Sequence, residues 1–480
     1  MRVAKTIVRR IARAIAAAPP WAVLAIGWGY LLVYAFPGIM TQDSFDHLRE
    51  ARDGLYSDAH PPVINLLWAT VDYVIAGPFG MLVIQNTCFL AGLYLVFRRA
   101  FGPRGAAWAA TAVYLFPPVM VPFAVIWKDP LMAGFLMLGT GALLSARRGV
   151  RVAGLLAMFG ANAVRYNALG ATFPLVVLLF EWRPGLPWLK RYAIATAAWL
   201  AVTFAAFRAN AELADHELHT WTVLAVYDIA GTLAFADGEL PDAELEAELA
   251  GTDLLVHRDI HAQIRKLYNP ADCLPTINDP QALWGLPING YIPAPEAQRD
   301  GIARAWKETI ARRPLAYTKH RLSVMKEVVG LGRSDASGAI AKRDYQWPDY
   351  VNQLGMGTGW SKLQRKLTRF YRLLVRATPL FSAWMYLAIA LALLPLARRQ
   401  RDVLALLLSG LGLEATLLVF AASSDYRYSH WLVTCTVAAA IILGVRRYRG
   451  PPRTAGPTPP AAADRDRDPR AAAPSPAPDP

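Results

Sequence analysis

Residues 61–77 read PPVINLLWATVDYVIAG, and whether this segment crosses a membrane decides the orientation of everything after it. It is apolar, yet it opens on Pro61-Pro62 and carries Asn65, Asp72 and Tyr73. Those side chains suit a hydrocarbon core poorly, because polar groups there cost free energy. We read the segment as a helix lying on the membrane surface. The rest of the chain is dominated by other apolar runs. A bilayer core of roughly 30 Å needs about 20 apolar residues in helical form. Candidate spans fall at 21–37, 79–97, 105–124, 130–146, 152–164, 168–181, 191–207, 379–396, 403–421 and 431–445. The expected fold is an all-α polytopic membrane protein with about ten transmembrane helices.

Composition agrees. Of 480 residues 55% are hydrophobic and only 18% charged, with a mean hydropathy of +0.26. A soluble domain carries about 25% charged residues. The net charge of +14 would suggest nucleic acid in a soluble protein. Here the arginines cluster between apolar runs, so they are topology signals and no nucleic-acid partner is expected. Cys88 and Cys435 lie in apolar runs and Cys273 stands alone, which leaves no disulfide framework and no paired-cysteine metal site. Lys5, Arg9, Arg10 and Arg13 precede an apolar stretch as in a signal peptide. Residues 21–36 lack a convincing small-residue cleavage site, so this is expected to be an uncleaved first span.

The positive-inside rule orients the helices. With the N-terminus in the cytoplasm and 61–77 on the outer surface, five basic loops fall inside. They hold Arg98, Arg99 and Arg104; Arg147, Arg148 and Arg151; Arg183, Lys190 and Arg191; Arg398, Arg399 and Arg401; and Arg446, Arg447 and Arg449. Were 61–77 a span, every later cluster would fall outside. The short segments 152–164 and 168–181 are either tilted, kinked or re-entrant, and the parity of later helices is the same in each case. The organisation expected is an amino-terminal module 1–207 with a first outer loop 38–78, a polar outer-face region 208–376 with an acidic stretch from Asp242 to Glu248, carboxy-terminal helices over 377–449, and a disordered cytoplasmic tail 450–480. The plasma (inner) membrane is the expected location. Residues 361–376 set Leu363, Leu367, Phe370 and Leu374 at helical spacing against Lys362, Arg365, Lys366, Arg369 and Arg372, an interfacial amphipathic helix. It is the one basic cluster that this topology places outside.

Ionisable groups collect at the outer helix ends: Asp43, Asp46 and His47 after the first span, Lys128 and Asp129 after the third, Arg165 and Asn167 within the short pair, and Asp425, Arg427 and Tyr428 between the last two spans. Charge at four separate turns suggests one shared polar cleft. Asp43 is the candidate general base, a role worth about 10²–10⁴-fold in rate; otherwise Thr41 or Asp43 caps a helix. Asp46 and His47 are the candidate ligands of a divalent metal, although two ligands make no site. Arg165 and Arg427 suit a phosphate clamp, with Lys128 as a point charge. The plainer readings are Arg165 snorkelling to headgroups, a local Lys128–Asp129 ion pair, and Asp425 paired with Arg427. Glu414 lies within the ninth span and is either functional or a buried hydrogen-bonding group. His60 is either a site residue or a turn residue ahead of two prolines.

These residues carry a resemblance. The run from Asp43 through Gly54 to His60-Pro61-Pro62, followed by 79–97 and Arg98-Arg99-Ala100-Phe101-Gly102, resembles the amino-terminal half of GT-C glycosyltransferases. That group includes polyprenyl-phosphate-mannose mannosyltransferases and lipid A aminoarabinose transferases. The likeness covers roughly 20–210 and, more weakly, 307–445, where Arg313-Pro314-Leu315-Ala316-Tyr317 recurs. It implies a catalytic acidic residue at Asp43, acting as general base, and outer-face lipid-phosphate contacts at Arg165-Tyr166-Asn167 and Arg427-Tyr428, with Lys128 joining Arg165 and Arg427 in binding the donor phosphate. The reaction implied is transfer of a sugar from a polyprenyl-phosphate carrier to an outer-face glycan, lipid or protein acceptor. Asp43-Ser44 departs from the Asp-Glu pair of the protein mannosyltransferases, which puts sugar and acceptor in doubt. The alternatives are a lipid or polysaccharide transporter or flippase and a non-catalytic GT-C-like homologue. A transporter places its ionisable groups near the midplane, and here only Glu414 is deep.

The topology has a direct test. A cysteine label at position 300 is expected to react only from outside, and labels at 148, 400 and 470 only from inside. Reaction of position 300 from the cytoplasm would sink the shared cleft along with the topology.

Overall fold

In a computed structural model the chain is described at residues 17–236, 241–254, 264, 266–277, 294–331, 340 and 360–449. The basic start of the chain and the tail 450–480 lie outside the described residues. Among those described, the chain is helical and has no strand beyond isolated bridges.

Prolines set where many helices begin. At the first helical position the missing N–H costs nothing and the fixed φ suits the helix. Helices α1 (Pro20–Ala35), α3 (Pro62–Val74), α5 (Pro103–Tyr114) and α6 (Pro117–Phe123) all start this way. Helix α2 (Gln42–Asp53) ends at Gly54, whose φ of 67° is the left-handed stop that glycine adopts readily. Among the described residues four helices are long and apolar enough to cross a membrane: α4 (Phe79–Phe97), α10 (Trp188–Leu213), α18 (Arg401–Phe420) and the stretch Tyr426–Tyr448 of α19 (Tyr426–Arg449). A fifth is possible if α5 and α6 count together.

That last pair corrects the sequence reading. Residues 105–124 were expected as one continuous span, but α5 and α6 meet at a 74° bend. Pro117-Pro118 impose it, since neither can continue the hydrogen-bond ladder. The carbonyls left open beyond α6 are taken by two buried amides of α4. Gln85 donates to Phe123 O at 3.0 Å and Val125 O at 2.9 Å, and Asn86 donates to Phe123 O at 3.1 Å. Tyr114 in turn donates to Asn86 at 2.8 Å. Satisfied polar groups of this kind are what hydrocarbon surroundings demand.

Segment 61–77 holds the 13-residue α3, about 20 Å long at ~1.5 Å per residue and well short of a bilayer. Helices α7 (Lys128–Leu143), α8 (Arg148–Val164), α9 (Leu169–Leu179) and α17 (Ala383–Ala397) complete the large core, with 3₁₀ turns at Tyr166–Ala168 and Pro379–Phe381. The two short segments read at 152–164 and 168–181 are thus a pair broken at Arg165. Close backbone approaches fix the packing. A Cβ on Gly92 of α4 would stand 2.3 Å from Met137 C of α7, and one on Gly412 of α18 would stand 2.2 Å from Gly170 O of α9. Only glycine fits such crossings.

The polar region carries a second core. Helix α11 (Trp221–Ala234), which is apolar and was not anticipated, packs on α14 (Glu296–Arg312) and α15 (Pro314–Val328), beside the short α12 (Asp242–Glu248) and α13 (Leu274–Ile277). Asp228 of α11 is fully buried and accepts from Trp306 at 2.9 Å; the His320 Nε2 lies 3.0 Å away and Arg321 pairs with it. Arg321 also donates to Ala421 O at 2.7 Å. Cys273 N donates to Ala422 O and Ser424 N to Ala271 O. The polar region thereby grips the turn between α18 and α19. Helix α16 (Lys362–Ala377) starts on a Ser361/Gln364 capping box and lies against α1, Tyr371 bonding Tyr30 at 2.7 Å. Leu363 and Phe370 of its apolar stripe stay about half exposed.

Gly92→Ala should lower the thermal midpoint, with a cost of about 1–3 kcal/mol for overpacking. Gly29→Ala, where a Cβ meets nothing within 4 Å, should change stability by less than about 0.5 kcal/mol. Equal midpoints for the two variants would disprove the close α4–α7 crossing.

Candidate functional site

A short backbone pairing sets the site's frame. Ile39 N donates to Ala124 O and Ile126 N to Ile39 O, both at 3.0 Å. The Ser44 hydroxyl donates to Ile126 O at 2.7 Å and Trp127 Nε1 to Thr41 Oγ at 2.7 Å. The start of α2, with Asp43, is therefore pinned beside the start of α7, with Lys128 and Asp129. Thr41 holds the N-cap position, so Asp43 is free of capping duty.

Four turns far apart in sequence meet here, as expected. Asp129, 1% exposed, lies 2.9 Å from Arg165 Nη1 and 3.8 Å from Arg427 Nε. Arg427 Nη1 lies 2.7 Å from Asp43, and its Nε lies 3.1 Å from Asp425. The Tyr428 ring sits under both guanidiniums, 5.0 Å from Arg165 and 5.4 Å from Arg427, and Trp127 adds a third face at 4.5 Å from Arg427. Aromatic faces hold cations without neutralising them. Arg165 is engaged by Asp129 and Tyr428, so it is not simply snorkelling.

Several readings need correction. Lys128 does not pair with Asp129: its Nζ donates to His60 Nδ1 at 2.9 Å, which makes His60 more than a turn residue. Asn167 bonds Thr416 at 3.2 Å and sits aside from the cluster. Asp46 is held by Gln42 at 3.2 Å, and His47 turns to Asn65. The two neighbours thus serve different partners, and no group of three possible metal ligands occurs among the described residues. Glu414 is buried, but only about six residues, roughly 9 Å, from the Asp43 end of α18. It adjoins Ser429, close beneath the cluster rather than at mid-helix.

Sequence reasoning missed Trp127 and a relay behind the site. His47 Nδ1 donates to Asn65 Oδ1 at 2.6 Å, Asn65 Nδ2 donates to Glu50 Oε2 at 2.5 Å, and Ser57 donates to Glu50 at 2.7 Å. The i, i+3 spacing of His47 and Glu50 on α2 was the available signal. The carboxylate fixes the amide of Asn65, and the amide fixes the His47 tautomer. His47 stacks 4.5 Å from His60.

The electrostatics are balanced: Lys128, Arg165 and Arg427 face Asp43, Asp129 and Asp425. Burial raises the affinity of Asp43 for a proton, but the charges of Arg427, Lys128 and His60 together overcome it and hold the carboxyl well below the usual range. Burial, joined by the Lys128 charge, holds His47 down at about 4 and His60 well below its ordinary value.

Both rings are neutral in the folded protein at pH 7, while the unfolded chain protonates them near 6.5. The unfolded state then binds more protons between about 6.5 and 4, so folding stability is lost as pH falls through that window. The thermal midpoint should drop between pH 7 and pH 5, and the drop should shrink in His47→Gln. An undiminished drop would show that His47 is not the group responsible. Comparison of the chain with family models, with curated proteins and with solved structures gives no match.

Proposed function

We propose that the protein is a GT-C-like membrane glycosyltransferase that moves a sugar from a polyprenyl-phosphate carrier to an acceptor on the outer face. One observation carries the reading: Lys128, Arg165 and Arg427, from three distant turns, gather around Asp43 and Asp129 at one end of an apolar helix bundle, with Arg427 reaching both carboxylates, Arg165 pairing with Asp129 and the Lys128 charge acting on Asp43. The resemblance noted in the sequence agrees with it. The topology proposed has ten crossings: α1, α4, the bent α5–α6 pair, α7, α8, α9, α10, α17, α18 and α19. Both termini face the cytoplasm of a plasma-membrane protein, and the Asp43 cluster faces out.

In the mechanism proposed, the acceptor hydroxyl oxygen attacks the sugar C1 as the C1–O bond to phosphate breaks. Asp43 takes the hydroxyl proton, and the carrier phosphate leaves with the bonding electrons. Arg165, Arg427 and Lys128 stabilise the charge that develops on it. Because the cluster is electrically balanced, an incoming phosphate must displace a carboxylate. Asp43 is the most exposed of the three, at 31% against 1% for Asp129 and 21% for Asp425. Donor binding therefore draws Arg427 away from Asp43 and restores the basicity that the ion pair suppresses. The base becomes effective only when the donor is in place.

The test is transfer from a synthetic polyprenyl-phosphate sugar. Asp43→Asn should fold normally and lose at least about 10²-fold in turnover. Arg427→Gln removes the main charge that depresses Asp43 in the free enzyme, so the acid limb of its residual kcat/KM should lie at higher pH than in wild type. Arg165→Ala and Arg427→Ala should each weaken donor use, and together should be non-additive because both serve one phosphate. Normal activity in Asp43→Asn removes it from the mechanism. Lipid movement across liposomes without any transfer would instead favour the flippase reading.

A further inference from the structure

A cavity of about 1770 Å³ opens among the helix ends at the other end of the bundle. Three helices measure its separation from the Asp43 cluster. Helix α7 runs from Lys128 to Leu143, α8 from Arg151 to the Arg165 turn, and α19 from Arg427 to Arg446, and in each case one end lies in the cluster and the other lines the cavity. At about 1.5 Å per residue the two sites stand roughly 20–30 Å apart.

The lining holds seven arginines and two carboxylates. Arg446 pairs with Asp402, and Arg191 and Arg401 share Glu181 at 2.9 and 3.6 Å. Arg99, Arg151, Arg399 and Arg447 have no carboxylate at ion-pair distance among the described residues. Snorkelling explains arginines that reach outward, but not those turned inward. Arg151 is 6% exposed, and its Nη1 donates to Ser145 O and Ala146 O at 3.0 and 2.8 Å, yet its Nε has no partner. Arg191 is 7% exposed and its Nη1 also lacks one. Buried unpaired donors beside a surplus of positive charge are costly, and an anion relieves both.

The rest of the wall tells which anion. Leu143, Leu179, Leu393, Leu396 and Leu443 make an apolar side continuous with the bundle, and none of the lining residues is aromatic. Nothing there stacks on a nucleotide base, whereas a hydrocarbon chain fits the leucines. We propose that this cavity is a second anion site, taking the phosphate headgroup of a membrane lipid with its chain along the leucine wall. In the topology above it opens to the inner leaflet, where anionic lipids attract basic groups. The proposal does not depend on glycosyl transfer, since its test reads binding alone.

The probes are didecanoyl phosphatidic acid, didecanoylglycerol and inorganic phosphate, titrated against the full chain in detergent. Phosphatidic acid should bind at least about tenfold more tightly than either control. Its binding should fall about tenfold or more in Arg99→Gln/Arg151→Gln/Arg399→Gln and stay unchanged in Arg427→Gln. Leu396→Trp, at a half-exposed position, should weaken phosphatidic acid and leave inorganic phosphate untouched. The exposed Arg399→Gln and Leu396→Trp single variants keep the test open should the triple variant fail to fold. Equal binding of phosphatidic acid and didecanoylglycerol would overturn the anion site. Inorganic phosphate bound as tightly as the lipid would overturn the lipid assignment. Loss in Arg427→Gln alone would place the lipid at the Asp43 cluster instead.

Discussion

Asp129 is almost wholly buried between two guanidiniums, Arg165 at 2.9 Å and Arg427 at 3.8 Å. Everything at the Asp43 end depends on this carboxylate. Without it, two cations from opposite parts of the chain would repel each other in a poorly solvated place, at a cost of several kcal/mol. With it, the break between α8 and α9, the start of α7 and the start of α19 are held at one point. The short backbone pairing of Ile39 with residues 124–126 then brings α2 to the same point. The polar region adds a further constraint, because Arg321 and residues 271–273 hold the 421–424 turn that leads into Arg427.

The two ends of the bundle solve opposite electrostatic problems. At the Asp43 end three cations meet three carboxylates, so the groups order one another and an anion enters only by exchange. At the far end seven arginines meet two carboxylates, and the anion we propose there enters by neutralising surplus charge. Exchange favours a reactive site, since displacing a carboxylate changes its basicity. Surplus charge favours retention of a ligand. The same residue type, arginine, thus serves two purposes according to how many acids accompany it.

Much of this was legible in the sequence. Long apolar runs gave the helical class, and Asn65 and Asp72 marked α3 as a helix too polar to be a span. Ionisable groups at helix ends marked Asp43, Asp129, Arg165 and Arg427 as one cluster. What stayed hidden depends on non-local geometry. The bend between α5 and α6 was signalled by Pro117-Pro118, but the apolar run continues through it without a break. Helix α11 was overlooked because it is a short apolar stretch inside a polar region. The pairing of Lys128 with His60 rather than Asp129 follows from where α3 lies, which no local pattern encodes. The inward turn of Arg151 and Arg191 could not be separated from the topology signal by sequence spacing.

The central claim is that Arg165, Arg427 and Lys128 hold a donor phosphate beside Asp43. It is tested most directly by a cryo-EM structure with a polyprenyl-phosphonate sugar analogue bound. The account expects the phosphonate oxygens within about 3 Å of both guanidiniums, with Asp43 released from Arg427 and facing the sugar. A phosphonate seated elsewhere, with the Asp43–Arg427 pair intact, would contradict it.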